Sequence, residues 1–289
     1  MQLKSKIDSG QFVILAEMEP PKGVDVSAML RNANRVKGRV DAFIVPEMSN
    51  AVMRMSSLGG SLLLQKAGMP TIMQVNCRDR NRLALQADLL AAGAAGVDTL
   101  MVVTGEDPSY GDHHEAKAVY DLQLPDLLDV IEQLANGRDM AGIELLGSPK
   151  FTTCAVVNTG LTGDALEAEI REMNEKIKKG VSFFITPPVF DLSSIKPFLD
   201  RVDHSKTPIV PTVLLLKSIG MARYMARNVK HVHIPDHLIQ QLQKAPDKVR
   251  ECIRIAADTI LLLKENGFSG AAVSTIGWEN KIHDILDHV

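Results

Sequence analysis

Short, nearly unbroken apolar runs recur along the chain, and each gives way to a polar or Gly/Pro-containing segment. They are FVILAEM (12–18), DAFIVP (41–46), TIMQVN (71–76), TLMVVTG (99–105), TTCAVVN (152–158), SFFITP (182–187), PIVPTVL (208–214) and GAAVSTIG (270–277). Continuous rather than alternating runs, rich in β-branched residues, predict parallel strands covered on both faces. The segments between them carry apolar residues at helical spacing. SAMLRNANRVKG and LALQADLLAAGAAG both close on glycine, a common helix stop. DALEAEIREMNEKIKKG has an acidic start and a lysine-rich end, which matches the helix dipole, and DKVRECIRIAADTILLLKENG is a further amphipathic helix. Eight strands alternating with helices predict an α/β fold, a (β/α)8 TIM barrel in one domain over residues 1–289. A doubly wound sheet is disfavoured, because no G-x-G-x-x-G follows the first strand.

In such a barrel the chemistry gathers at the C-terminal ends of the strands. The polar residues predicted there are Glu17 and Glu19, then Gln74, Asn76 and Cys77, then Thr104, Gly105, Glu106 and Asp107. Asn158, Thr159, Thr186, Ser274 and Thr275 complete the set. The segment 105–123 is the longest irregular stretch and falls on the same face, as functional loops do. Glu17 and Glu19 share parity, so alternation alone does not separate them. A carboxylate at a dry barrel end has its proton held by desolvation and suits a general acid; the competing reading is a capping carboxylate or a surface ion pair near Lys22.

The histidines of HVHIPDH (231–237) have metal-like spacing, but they fall after a helix rather than on a strand end, and a loop entering a short helix at Pro235 accounts for them. Lys176, Lys178 and Lys179 close a helix, where dipole complementation and solubility compete with a phosphate-binding role for Lys176. Met221 and Met225 are four apart on a helix, a spacing that core packing also produces. Cys154 lies within a strand with no histidine to activate it.

Composition narrows the class. The 289 residues carry a net charge of −3, 45% hydrophobic and 4% aromatic side chains. That balance is soluble and globular, and it points to neither a nucleic-acid nor an anionic-membrane partner. No apolar run reaches a membrane span, and the N-terminus lacks the apolar core of a secretory signal. Three scattered cysteines fit a reducing cytoplasm better than a disulfide framework.

Four segments in order resemble one family. AEMEPPKG (16–23) resembles the first-strand motif of the methylenetetrahydrofolate reductase family, and VTGEDP (103–108), followed by Tyr120, resembles its fourth-strand motif. KIKKGVSFFITPPVFD (176–191) resembles its sixth-strand region, and VHIP (232–235) a segment after the seventh strand. The resemblance runs from about residue 12 to about residue 282. It implies a flavin-containing barrel, catalytic domain only, that reduces 5,10-methylenetetrahydrofolate to 5-methyltetrahydrofolate. The cofactor it implies is FAD, with FMN as the other form, and the electron source is NAD(P)H or a partner protein. It also implies a homo-oligomer or a complex with a second subunit.

By matching position Glu17 is the general acid, and Glu106 is the acidic residue near flavin and pterin. Gln74, Asn76, Thr104, Gly105, Glu106, Tyr120, Ala155, Glu169 and Lys176 match flavin-lining positions. Glu106, Met221, Met225 and Trp278 match substrate-contacting ones. Three positions depart from the family pattern. Pro187 stands in place of a pterin-binding glutamine, Trp278 in place of an arginine, and Gly160 in place of a flavin-contacting histidine. Glu19 has no counterpart role. A flavin-free pterin-binding methyltransferase and an assembly subunit of a one-carbon complex are the alternative readings.

Overall fold

The computed structural model describes residues 2–289. Eight parallel strands close into a barrel in sequence order: β1 (Val13–Glu17), β2 (Ala42–Val45), β3 (Thr71–Asn76), β4 (Thr99–Val103), β5 (Thr152–Val156), β6 (Val181–Pro188), β7 (Ile209–Leu214) and β8 (Gly270–Ser274). Pairing of β1 with both β2 and β8 leaves no free edge. This is the (β/α)8 barrel predicted from the pattern of runs.

Two apolar sets follow from strand alternation. Leu15, Ile44, Ile72, Cys154, Phe183 and Val210 point inward and fill the barrel. Ala16, Phe43, Met73, Leu100, Phe184 and Val213 point outward and pack under the helices. That double burial is why the strands read as continuous apolar runs. The N-terminal helix, Gln2–Asp8, sends Leu3 and Ile7 into the inner set and closes the N-terminal end of the barrel, leaving the opposite end for the site.

The predicted helices lie at Ser27–Val36, Arg82–Ala94, Gly163–Lys178 and Lys248–Glu265. Some strands end earlier than their apolar runs. β4 stops at Val103 and β8 at Ser274, because Gly105, Ile276 and Gly277 all have positive φ and turn the chain out of the ladder. After β7 two helices, Ile219–Asn228 and Asp236–Lys244, precede the long one. The histidine segment lies between them. Val232 and Ile234 are buried, His231 and His233 are exposed, and Asp236 starts a helix after Pro235, as the loop reading expects.

Among the described residues no helix is long and apolar enough to cross a membrane.

Candidate active site

Glu17 is the last residue of β1 and continues the inward series Val13, Leu15. It lines a cavity of 190 Å³ at the C-terminal end of the barrel, with Ile44, Gln74, Met101, Thr212 and Ser274 among its walls. The Ser274 hydroxyl donates to Glu17 Oε1 at 3.1 Å across the β1–β8 seam. Burial pushes the Glu17 carboxyl up to about 7, against the bond from Ser274 and with help from the fields of Glu19 and Glu279. The group therefore keeps a proton close to neutral pH, as a general acid must.

Glu19 lies beyond the strand, and its partner is Arg54, with Nε 2.8 Å from Oε1. Burial raises its carboxyl and the Arg54 charge opposes the rise. Lys22 pairs with Asp112, not with either glutamate. Asp112 also accepts from the Met53 N–H at 2.9 Å, so it ties the loops after β1, β2 and β4 together. The Lys22 bond holds its carboxyl well below the usual range. Met48, Asn50 and Ala51 all have positive φ in the loop so tied, a concentration of strain beside the cavity.

On the β3–β4 side the predicted residues divide. Gln74 lines the cavity, and its Oε1 accepts the Glu47 N–H at 2.6 Å, leaving the amide NH2 available. Asn76 is buried and committed elsewhere: Nδ2 donates to Asp79 at 2.8 Å and Oδ1 accepts the Asp79 N–H at 3.2 Å. Gly105 has φ +89°, and a Cβ there would lie 2.9 Å from Arg78 Cβ, so the rim is bare backbone at this point. The Tyr120 hydroxyl donates to the Gly105 carbonyl at 3.3 Å. Thr104 and Glu106 are exposed on the same rim.

Sequence reasoning missed the group beneath that rim. Arg78 is 2% exposed and donates to Asp79 at 2.6 Å and to the Glu106 carbonyl at 3.2 Å, and it lies 3.8 Å from the Glu106 carboxylate. Glu47, 3% exposed, accepts from the Ser57 N–H at 2.7 Å and from Arg80 at 3.2 Å. Both residues sit in polar runs, NCRDRNR and PEMSN, that carry no local signal of burial.

On the β5–β6 side the Ala155 side chain faces the helical layer, while its neighbour Val156 lines the cavity. Glu169 accepts the Asn158 N–H at 2.9 Å. Lys176 is buried, donates to the Val156 carbonyl at 3.2 Å and pairs with Glu172 at 2.8 Å. Pro187 lines the cavity. A Cβ on Gly160 would lie 2.1 Å from the His231 carbonyl oxygen, so this position admits no side chain where the family has histidine.

Beyond β7, Met225 is buried in the core and Met221 packs beside it on the helix Ile219–Asn228. Trp278 is partly buried after β8, with Lys217 Nζ 5.6 Å from its ring centroid.

A family model described as methylenetetrahydrofolate reductase matches residues 2–289. Methylenetetrahydrofolate reductase 2 of Schizosaccharomyces pombe is 24% identical over 261 residues, which are 86% of this chain and 40% of that protein. Among solved structures, an uncharacterized protein from Clostridium thermocellum, described as binding two copies of 5-methyl-5,6,7,8-tetrahydrofolic acid, superposes with a TM-score of 0.66 at 17% identity, covering 99% of this chain and 97% of that one. The EDTA monooxygenase of Chelativorans sp. BNC1 superposes with a TM-score of 0.56 at 10% identity over 96% of this chain and 92% of that one. The two structures share the fold, and the family model spans the strands, the loops and the buried acid alike. This chain belongs to the methylenetetrahydrofolate reductase family.

Proposed function

We propose that the protein reduces 5,10-methylenetetrahydrofolate to 5-methyltetrahydrofolate at the C-terminal end of the barrel. The observation that carries this reading is Glu17, a carboxyl held protonated near neutral pH inside the cavity and steadied by Ser274. Glu17 donates its proton to a nitrogen of the methylene bridge. That C–N bond breaks and an electrophilic iminium carbon remains on the folate. The folate-binding description of the Clostridium thermocellum protein supports a folate as the ligand.

The residues present fit a flavin in kind. Gln74 offers an amide donor to the cavity, Gly105 gives bare backbone beside Tyr120, and Lys176 is a buried cation whose carboxylate partner, Glu172, is 63% exposed. An exposed partner is a weak competitor for a phosphate. A flavin, FAD in the first instance, would supply the hydride that the iminium carbon accepts. Thr104, Glu106 and Glu169 complete its surroundings in this assignment. Glu106, tethered from below by Arg78, also holds the pterin amino groups, and Met221, Met225 and Trp278 lie along the rest of the substrate. Electrons come from NAD(P)H or a partner protein, in a cytoplasmic homo-oligomer or hetero-complex.

One observation favours a second reading, a flavin-free pterin-binding methyltransferase. Of two positions assigned to the flavin, Asn76 spends its amide on Asp79 and Ala155 faces the helical layer rather than the cavity.

An anaerobic spectroscopic experiment separates the two. The purified protein, reconstituted with FAD and reduced with dithionite, is mixed with methylenetetrahydrofolate. Return of the oxidised flavin spectrum with formation of 5-methyltetrahydrofolate is the expected result. A protein that takes up neither FAD nor FMN overturns the flavin-dependent reaction.

A further inference from the structure

The outer helices of a barrel turn a polar face to water, and Gly163–Lys178 does so with Arg171, Glu172, Glu175 and Lys178. The helix Arg82–Ala94, RLALQADLLAAGA, is apolar on both sides. Its inner face is Leu85, Leu89 and Ala92, all buried. Leu83, Ala87, Leu90, Ala91 and Ala94 follow at helical spacing on the opposite face. Leu83 is 75% exposed, and Ala87, Ala91 and Ala94 are exposed with it. The polar side chains of this helix are spent within the chain. Asp88 pairs with Arg80 at 2.7 Å, Gln86 accepts the Met140 N–H at 2.8 Å, and Arg82 pairs with Asp121 at 2.9 Å.

A turn that follows the helix Leu124–Ala135 borders this face. Residues 137–145 fold back on themselves: the Asp139 N–H donates to the Ile143 carbonyl at 3.0 Å and the Leu145 N–H to the Gly137 carbonyl at 2.9 Å. Asp139 Oδ1 accepts the N–H groups of Ala141 and Ile143, and Arg138 pairs with Glu144 at 2.8 Å. The turn is ordered by its own bonds, yet Ile143 is 65% exposed and Leu146 fully exposed. Turn and helix together wall a cavity of 400 Å³, with Leu90, Gly93, Ala94, Leu145 and Pro149 around it. The segment leads into β5, so this face lies towards the end of the barrel opposite Glu17.

We propose that this face joins two copies of the chain about a two-fold axis, with Leu146 of each copy over the hollow beside the other's helix. A two-fold contact requires one patch to fit itself. Here an exposed leucine and an apolar hollow are neighbours on the same patch, and the alanines along the helix let two backbones approach closely. Charge agrees with this. The rim charges are already matched within the chain, Arg82 by Asp121 and Arg138 by Glu144, so the patch meets its own copy without net repulsion. The helix has 13 residues and is about 20 Å long, and with the turn beside it the footprint is roughly 400 Å² per copy. A pair that covers about 800 Å² belongs to weak, reversible association. The inference is independent of the folate reading, and the contact leaves the cavity at Glu17 open in both copies.

Sedimentation velocity of the whole protein tests it. Monomer at about 1 µM and dimer at about 100 µM are expected, as an interface of this size dictates. Leu146→Asp and Ala87→Arg should each weaken the dimer by about tenfold or more, because a two-fold contact loses the changed side chain twice. Both positions are exposed, and a thermal midpoint equal to that of wild type at about 1 µM shows that each variant is folded. Val24, 92% exposed in the loop after β1, supplies the control: Val24→Asp should leave association unchanged. A wild type that stays monomeric at about 100 µM overturns the proposal. So does a dimer that survives both Leu146→Asp and Ala87→Arg, or one that Val24→Asp weakens equally.

Discussion

Glu17 and Glu19 are the same side chain two residues apart, and their surroundings make them different acids. Glu17 is enclosed by the barrel and has a hydroxyl for a partner, whereas Glu19 has a guanidinium. The consequence for stability has a definite sign. The folded-state Glu17 carboxyl titrates at about 7 against 4.5 for the free group, so below pH 4.5 both states are protonated and the group costs nothing. As pH rises from 4.5 to about 7 the unfolded chain releases the proton and the native state keeps it, so stability falls. Above about 7 the penalty is constant, at about 3 kcal/mol. Glu17→Gln should therefore be more stable than wild type at pH 8 and no more stable at pH 4.5, as read by urea denaturation at the two pH values. Catalysis should move the other way. Glu17→Gln should lose about 10²-fold to 10⁴-fold in folate reduction, the usual worth of a positioned acid, while still taking up flavin. In wild type the folate half-reaction should slow about tenfold per pH unit above the Glu17 titration, as a required acid loses its proton. Stopped-flow traces of flavin reoxidation across pH report it.

At the scale of elements, the loops above the strands are joined to one another more than to solvent. Asp112 gathers the loops after β1, β2 and β4. Lys217 hooks the end of β7 onto the turn after β8. The segment after β5 rests on the segment around His231, and the contact at Gly160 is so close that even a methyl group collides with a carbonyl oxygen. Gly160→Ala should then destabilise the fold by about 1–3 kcal/mol, as overpacking does, although φ at this glycine is ordinary. Thermal unfolding of that variant beside Gly163→Ala, whose Cβ would enter open space, checks the assignment. Gly163 has φ +57°, so its alanine variant measures backbone strain alone, and equal losses would mean the clash at Gly160 is relieved by a small shift of the loop.

For the whole molecule, closure of the barrel removes every strand edge and encloses Cys154, while Cys77 and Cys252 are buried between the strands and the helices, so all three cysteines are out of reach of solvent. Burial pushes the Cys77 and Cys252 thiols up to about 11 and raises Cys154 further. None is a nucleophile in the native state, because the thiolate is the reactive form. A disulfide reagent such as Ellman's should label no cysteine in the native protein and all three after denaturation. Rapid labelling of Cys77 in native protein would mean that the end of β3 opens.

The sequence by itself determined the barrel and that a carboxylate pair, Glu17 and Glu19, closes its first apolar run. Both are local properties: continuous apolar runs fix strands buried on two faces, and a carboxylate closing such a run lies where the barrel opens. Tertiary structure alone decided what each polar residue does there. Ser274 meets Glu17 across 257 residues of chain, Glu47 captures Gln74 from another loop, and Arg78 is buried because Asp79 and the Glu106 carbonyl take its donors. Nothing at positions 76 or 155 told that Asn76 would be absorbed by Asp79, or that Ala155 would face the helices while Val156 faced the cavity. Burial, proton affinity and pairing are set by atoms brought near in space, and separation along the chain carries little trace of them.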